Sequence, residues 1–197
     1  KGSGKRSLFA GALWMGGVNA NDQLKLAAVT FRARGNDYFP GPLTQGLAEI
    51  TSQECTKYDR FFRASKADVI KHISYTDAVN NGTLEDFGPY KVPNYFYEWP
   101  AKGGPGQSDK LAPWKDVDGD GDYDPDKGDY PFYDLFKEIE CRSNALEVPL
   151  FGDTTIYWIF NDKGNIHTET GSEPIGMEIR AQSFAFASQT AINNMTF

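Results

Sequence analysis

Residues 154–164 read TTIYWIFNDKG. Thr154, Thr155, Ile156, Tyr157, Trp158, Ile159 and Phe160 are all β-branched or aromatic, the types that fit a pleated, half-buried surface, and Asn161, Asp162, Lys163 and Gly164 then tolerate a tight turn. The stretch therefore predicts a strand and a hairpin turn. Downstream, residues 175–187 predict another strand, in which Glu178, Arg180 and Gln182 alternate with Met177, Ile179 and Ala181. Phe184 and Phe186 fall on its polar side, so either a bulge intervenes or that face is covered. Near the start, residues 7–18 and 23–33 predict two strands around the turn Asn19, Ala20, Asn21, Asp22. That hairpin places Leu13, Trp14, Val18, Leu24, Leu26, Val29 and Phe31 among the core candidates.

Helical signals are confined to about residues 51–80. Thr51, Ser52, Gln53 and Glu54 form a capping box, after which Cys55, Tyr58, Phe61 and Phe62 share one face. Ser65 opens a second helix with Asp68 at its third position, Val69, Ile70 and Ile73 give the apolar stripe, and Asn80, Asn81 and Gly82 stop it. His72 reads as a surface side chain within it. Residues 35–43 and 92–113 are too rich in glycine and proline for regular structure, and Tyr38 and Phe39 either anchor the first of these loops or offer an aromatic ligand platform. Residues 131–144 fit a short helix or a strand equally well. The expected fold is mainly β: one antiparallel, β-sandwich-like domain over residues 1–197, with a small helical insertion and long loops.

Composition narrows the function classes. Hydrophobic residues at 40% exclude wholesale disorder, while 20 Gly and 11 Pro among 197 residues favour turns over a helical bundle. A formal net charge of −7 argues against nucleic acid as a partner, because phosphate binding needs a concentrated basic surface. No apolar run reaches the roughly eighteen residues of a transmembrane helix. The start, KGSGKRSLFAGALWMGG, is interrupted by glycines and reads as a mature hairpin, so any export signal has already been removed. The ending INNMTF reads as the opening of another strand, which suggests part of a longer chain.

The most specific chemistry lies in residues 116–129, DVDGDGDYDPDKGD. Asp116, Asp118, Asp120 and Gly121 occupy positions 1, 3, 5 and 6 of a D-x-D-x-D-G calcium loop, in which alternate carboxylates converge on a hard cation and glycine allows the sharp bend. Asp124 falls at position 9. Position 12, a bidentate glutamate in an EF-hand, is Lys127, so only a differently shaped loop could recruit Asp122, Asp126 or Asp129. So many carboxylates repel one another unless a cation neutralises them, and Ca²⁺ suits the set better than Mg²⁺, which prefers small octahedral sites.

Other candidates are weaker. Cys55 and Cys141 could form one disulfide or remain two buried thiols. Tyr95, Tyr97 and Trp99, beside a flexible GGPG loop, could stack on a sugar or simply pin the loop to the core. Asn81-Gly82-Thr83 and Asn194-Met195-Thr196 match glycosylation acceptors, a pattern that arises often by chance. No G-x-S-x-G, H-E-x-x-H or phosphate loop occurs, and His167 sits near Glu169 in a polar turn, so no catalytic residue is assigned.

Four stretches together carry a resemblance: LWMGGV, GNDYFPGPLT, DVDGDGDYDPDKGDYP and WIFNDKGNIHTETGSEPIGMEIRAQSFAFA. They span nearly the whole chain and resemble the N-terminal portion of large secreted surface proteins of Bacteroidota, which often end in a type 9 secretion sorting domain. The resemblance implies an extracellular or outer-surface location, and with it a Cys55–Cys141 disulfide and an occupied calcium site. It transfers no catalytic residues, because the group has no settled activity, and no sorting domain lies within these residues. The expected role is a calcium-stabilised structural or adhesive module. The alternatives are a carbohydrate-binding or glycan-cleaving domain and a secretion cargo or filament subunit. Expected partners are accordingly the rest of a longer chain, the secretion machinery, surface glycans or copies of the chain itself.

Overall fold

The computed structural model describes residues 10–32, 34–137 and 148–187. In chain order the elements are strands β1 (Trp14–Val18), β2 (Leu24–Ala28) and β3 (Phe39–Pro40), helix α1 (Ser52–Tyr58), strand β4 (Phe62–Ser65) and helix α2 (Lys66–Asn81). Then come the single turn α3 (Asn94–Tyr97) and strands β5 (Trp114–Lys115), β6 (Tyr130–Pro131), β7 (Thr154–Asn161) and β8 (Glu178–Ala185). The fold is mainly β with a small helical part, and its sheets are antiparallel. Among the described residues no helix is long and apolar enough to cross a membrane.

The chain gathers into two compact units, Lys1–Asp59 with Ile159–Ile179 and Arg60–Trp158 with Arg180–Phe197. In the first, β1 and β2 form the expected hairpin with Val18 opposite Leu24. Its turn is held by Asn19 Oδ1, which accepts from the Asn21 and Gln23 amides, while Asp22 takes the left-handed conformation such turns require. The core assignment of this hairpin is corrected. Ala27 and Ala28, on opposite faces near the open end, are buried, whereas Leu13, Trp14, Val18, Leu24 and Phe31 are exposed.

The β3 strand grows from the loop at 35–43, as Phe39 and Pro40 pair with Asn161 and Phe160 of β7. Buried Asn161 clamps the crossing, its Nδ2 donating to the carbonyls of Phe39, Pro40 and Gly41. Asp37 and Asp162 are both fully buried, and each gathers main-chain amides. Asp37 accepts from Ala28, Glu169 and Thr170, and Asp162 from Ile175, Gly176 and Met177. Between them sits His167, which is also buried rather than in a polar turn. Its Nδ1 lies 2.7 Å from the Leu26 carbonyl and its Nε2 faces the Asp162 carbonyl. Its Nδ1 also lies 3.8 Å from a carboxylate oxygen of Asp37, so the ring ties both buried aspartate hubs together.

In the second unit, Thr154, Thr155, Ile156 and Tyr157 of β7 pair with Ser65, Ala64, Arg63 and Phe62 of β4. Strand β4 breaks the helical insertion expected over 51–80: α1 ends at Tyr58, and Phe62 and Ala64 turn inward as strand residues. Both helix starts are as read. Thr51 Oγ1 accepts from the Glu54 amide at 3.2 Å and Ser65 Oγ from the Asp68 amide at 3.4 Å, and α2 stops at Gly82 in the left-handed conformation. The buried stripe of α2 is Val69 and His72, while Ile70 is exposed, so the surface reading of His72 is corrected. Around them Phe96, Trp99, Leu111, Tyr133 and Tyr157 form the core.

Candidate functional site

The candidate site is the loop between β5 and β6 in the second unit. Those two-residue strands pair Trp114 with Pro131 and Lys115 with Tyr130, which brings the ends of the loop together. Asp129 then closes it from beneath. Its fully buried carboxylate accepts from the Val117 amide at 2.8 Å and the Asp124 amide at 2.9 Å. Burial raises the Asp129 pKa, aided by the charges of Asp116 and Asp118, while the two amides act in the opposite sense.

Above that prop the alternating aspartates each fold back onto the main chain. Asp116 accepts from the Gly119 and Gly121 amides at 2.7 and 2.9 Å, Asp118 from the Asp120 amide at 3.1 Å and Asp120 from the Asp122 amide at 2.8 Å. Gly119 and Gly121 have φ of +78° and +80°, angles that a side chain disfavours, and these reverse the chain between successive carboxylates. As a result, Asp116, Asp118 and Asp120 each present a carboxylate oxygen within 4.8 Å of the others, a group that could hold a metal ion.

The remaining expected ligands go elsewhere. Asp122 points outward to Lys102 Nζ at 2.6 Å. Asp124 caps the 3₁₀ turn Pro125–Lys127 by accepting from the Asp126 amide. Asp126 accepts from the Tyr97 hydroxyl at 2.6 Å, a bond that holds the tyrosine protonated and pushes its pKa up to about 12. Lys127, at the position of the EF-hand glutamate, brings an ammonium to the cluster. It bonds Asp120 and lies 3.7 Å from Asp118, and this contact lowers the Asp120 pKa while raising its own. Any metal cation entering the site competes with that ammonium.

The loop leans on α2. A side chain at Gly128, where φ is +108°, would collide with Thr76 of that helix. One turn away, buried His72 bonds the Tyr90 hydroxyl through Nδ1 at 3.0 Å, and its Nε2 faces the main chain at Gly128 and Asp129 without completing a hydrogen bond. A cleft of about 550 Å³ opens beside this contact, lined by Tyr75, Tyr90, Tyr97, Asn80, Asp126 and Lys127.

The aromatic trio at 95–99 does not form one platform. Trp99 is buried and donates to the Pro113 carbonyl, Tyr95 is half-buried with its hydroxyl on Asp68, and only Tyr97 is exposed. A closer aromatic pair is half-buried Tyr75 and Tyr90, whose ring centres approach to 4.5 Å. Their wide sequence separation hid that pairing. Cys55 is a free, half-buried thiol, and Cys141 and Asn194 lie outside the described residues.

No protein-family model, no curated protein and no solved structure matches the chain.

Proposed function

We propose that the chain is a calcium-stabilised structural or adhesive module of an extracellular surface protein. The observation that carries this reading is the convergence of Asp116, Asp118 and Asp120 within 4.8 Å on a loop braced from below by Asp129. Calcium fits better than magnesium because a long glycine-broken loop can supply many oxygens at irregular angles, whereas magnesium demands near-ideal octahedral geometry and retains water. The competing Lys127 ammonium favours a modest affinity, in the roughly 10⁻⁴–10⁻³ M range of extracellular calcium modules. The likeness to Bacteroidota surface proteins exported by type 9 secretion supports the same location. Isothermal titration tests the ion: saturable binding of Ca²⁺, weaker binding of Mg²⁺ and loss of both in Asp118→Ala is the expected pattern. Equal or no heat for the two ions would remove calcium from the account.

A second reading, recognition of a surface glycan, draws on the cleft lined by Tyr75, Tyr90 and Tyr97 with Asn80 and Asp126 at hand. Aromatic faces beside hydrogen-bonding groups suit a saccharide. A glycan array probed with the unmodified chain and with Tyr90→Ala tests it. Binding that the variant loses supports a glycan ligand, and a blank array leaves the structural role alone.

A further inference from the structure

The β1–β2 hairpin of the first unit presents an apolar face on which Ala28 is buried while Trp14, Val18 and Leu24 stay exposed. Residues directly opposite in an antiparallel pair share a face, so Trp14, Val18, Leu24 and Leu26 lie together. Trp14 is 71% exposed, Val18 67% and Leu24 61%. Hydrophobic residues that alternate as a core should, yet remain this exposed, mark an interaction surface.

The edge beside that face is open as well. Strand β2 directs Leu24, Leu26 and Ala28 away from β1. The Leu26 amide donates to Glu173, the Ala28 amide donates to Asp37, and Ser172 donates to the Leu24 carbonyl. In an antiparallel ladder the residues opposite these, Val18, Gly16 and Trp14, must point their own N–H and C=O groups to the outer side of β1. Among the described residues no strand pairs there. Exposed edges are ordinarily guarded by lysine, proline or a bulge, and WMGGV has none of these.

We propose that β1 pairs antiparallel with β1 of a second copy of this chain, about a two-fold axis at Gly16. That register sets Trp14 opposite Val18 of the other copy, and every pair exchanges both main-chain bonds, since all three residues of β1 that face outward meet their counterparts. The charges at the hairpin ends select the second copy and this orientation. Asp22 stands at the turn end of the hairpin, while Arg32 and Arg34 outnumber the Glu169 carboxylate, which accepts from Thr30 and Gly35 at its open end, so antiparallel pairing brings the acidic end of each copy toward the net basic end of the other. Parallel pairing would set like charges together. This interface does not depend on the calcium reading, and chelation leaves it intact.

Sedimentation equilibrium of the 197-residue chain over about a hundredfold concentration range, with and without chelator, tests it. The result expected is a monomer–dimer equilibrium unchanged by chelation and abolished by both Gly16→Pro and Val18→Lys. The first variant removes an outward N–H that the hairpin itself does not use, a position where edge strands tolerate proline. The second places a charge on the edge. A melt at low concentration confirms that each variant is folded. A chain that stays monomeric throughout, or a dimer that survives in either variant, overturns the proposal.

Discussion

Aspartate carboxylates serve two different purposes in the two units. In the first, Asp37 and Asp162 are fully buried and surrounded by main-chain amides, Asp162 alone accepting from three consecutive residues. In the second, Asp116, Asp118 and Asp120 also take amides, yet they remain at the surface with oxygens turned toward one another. A buried carboxylate whose lone pairs are filled by N–H groups is a knot that fixes loops. A set of half-solvated carboxylates that repel one another gains stability from a positive partner. Burial and donor supply, rather than residue type, separate the structural aspartates from those that could hold a metal ion.

The largest effect should come from cutting a knot. Asp162→Ala leaves the amides of Ile175, Gly176 and Met177 without their acceptor and should cost about 4 kcal/mol in chemical denaturation, equally in calcium and in chelator. A loss below about 1 kcal/mol would show that these amides find other partners and that the contrast between the units is overdrawn.

Replacing the competing cation sharpens the other side. Lys127→Glu removes the ammonium beside Asp118 and Asp120 and supplies the carboxylate that a D-x-D-x-D-G loop has at its twelfth position. Calcium affinity should rise at least tenfold, about 1.4 kcal/mol. Unchanged or weaker binding would place the ion away from these side chains.

A smaller effect is expected from the loop's bends. Gly121→Ala meets no neighbouring atom, so its cost is confined to the φ of +80° and should be about 1 kcal/mol in calcium affinity or stability. A neutral result would mean that the loop relaxes to another path.

Acid should weaken the chain through a buried group in each unit. Burial pushes the His72 imidazole below its ordinary 6.5, so the unfolded chain takes up the proton first and stability present above that pH declines as the pH falls beneath it. For Asp37, burial pulls upward, but the hydrogen bonds from Thr170, Glu169 and Ala28 more than offset it. The net lowering gives stability that is present above about pH 3.8 and lost as the carboxylate protonates at lower pH. Denaturation titrations between pH 7 and 5 should show a decline that His72→Gln abolishes. A decline that persists in that variant assigns it to another group.

Local signals were readable in the sequence and long-range ones were not. The β7 strand, the NAND turn, the caps at Thr51 and Ser65 and the stop at Gly82 are written in adjacent residues, as is the alternation that sets Asp116, Asp118 and Asp120 on one side of the loop. Strand β4 was hidden because FRAS is too short to show a period and forms only against β7, about ninety residues away. The hubs at Asp37, Asp162 and His167 were hidden because each is built from amides or carbonyls, which leave no mark in the sequence. The hairpin was read as strands correctly, yet its apolar face was assigned to a core it does not join, since periodicity reports that a face is apolar and not what covers it.

The cation site is tested most directly by thermal melts of the chain in excess Ca²⁺ and in chelator, with Asp118→Ala and Asp120→Ala alongside. At free calcium about a hundred times the dissociation constant, binding to the folded state alone contributes about 2.7 kcal/mol, so the midpoint should rise by several degrees. Both variants should melt with the unmodified chain in chelator and gain nothing from calcium. Identical melts of the unmodified chain under the two conditions would contradict the account, leaving the aspartates as a solvated loop neutralised by Lys127.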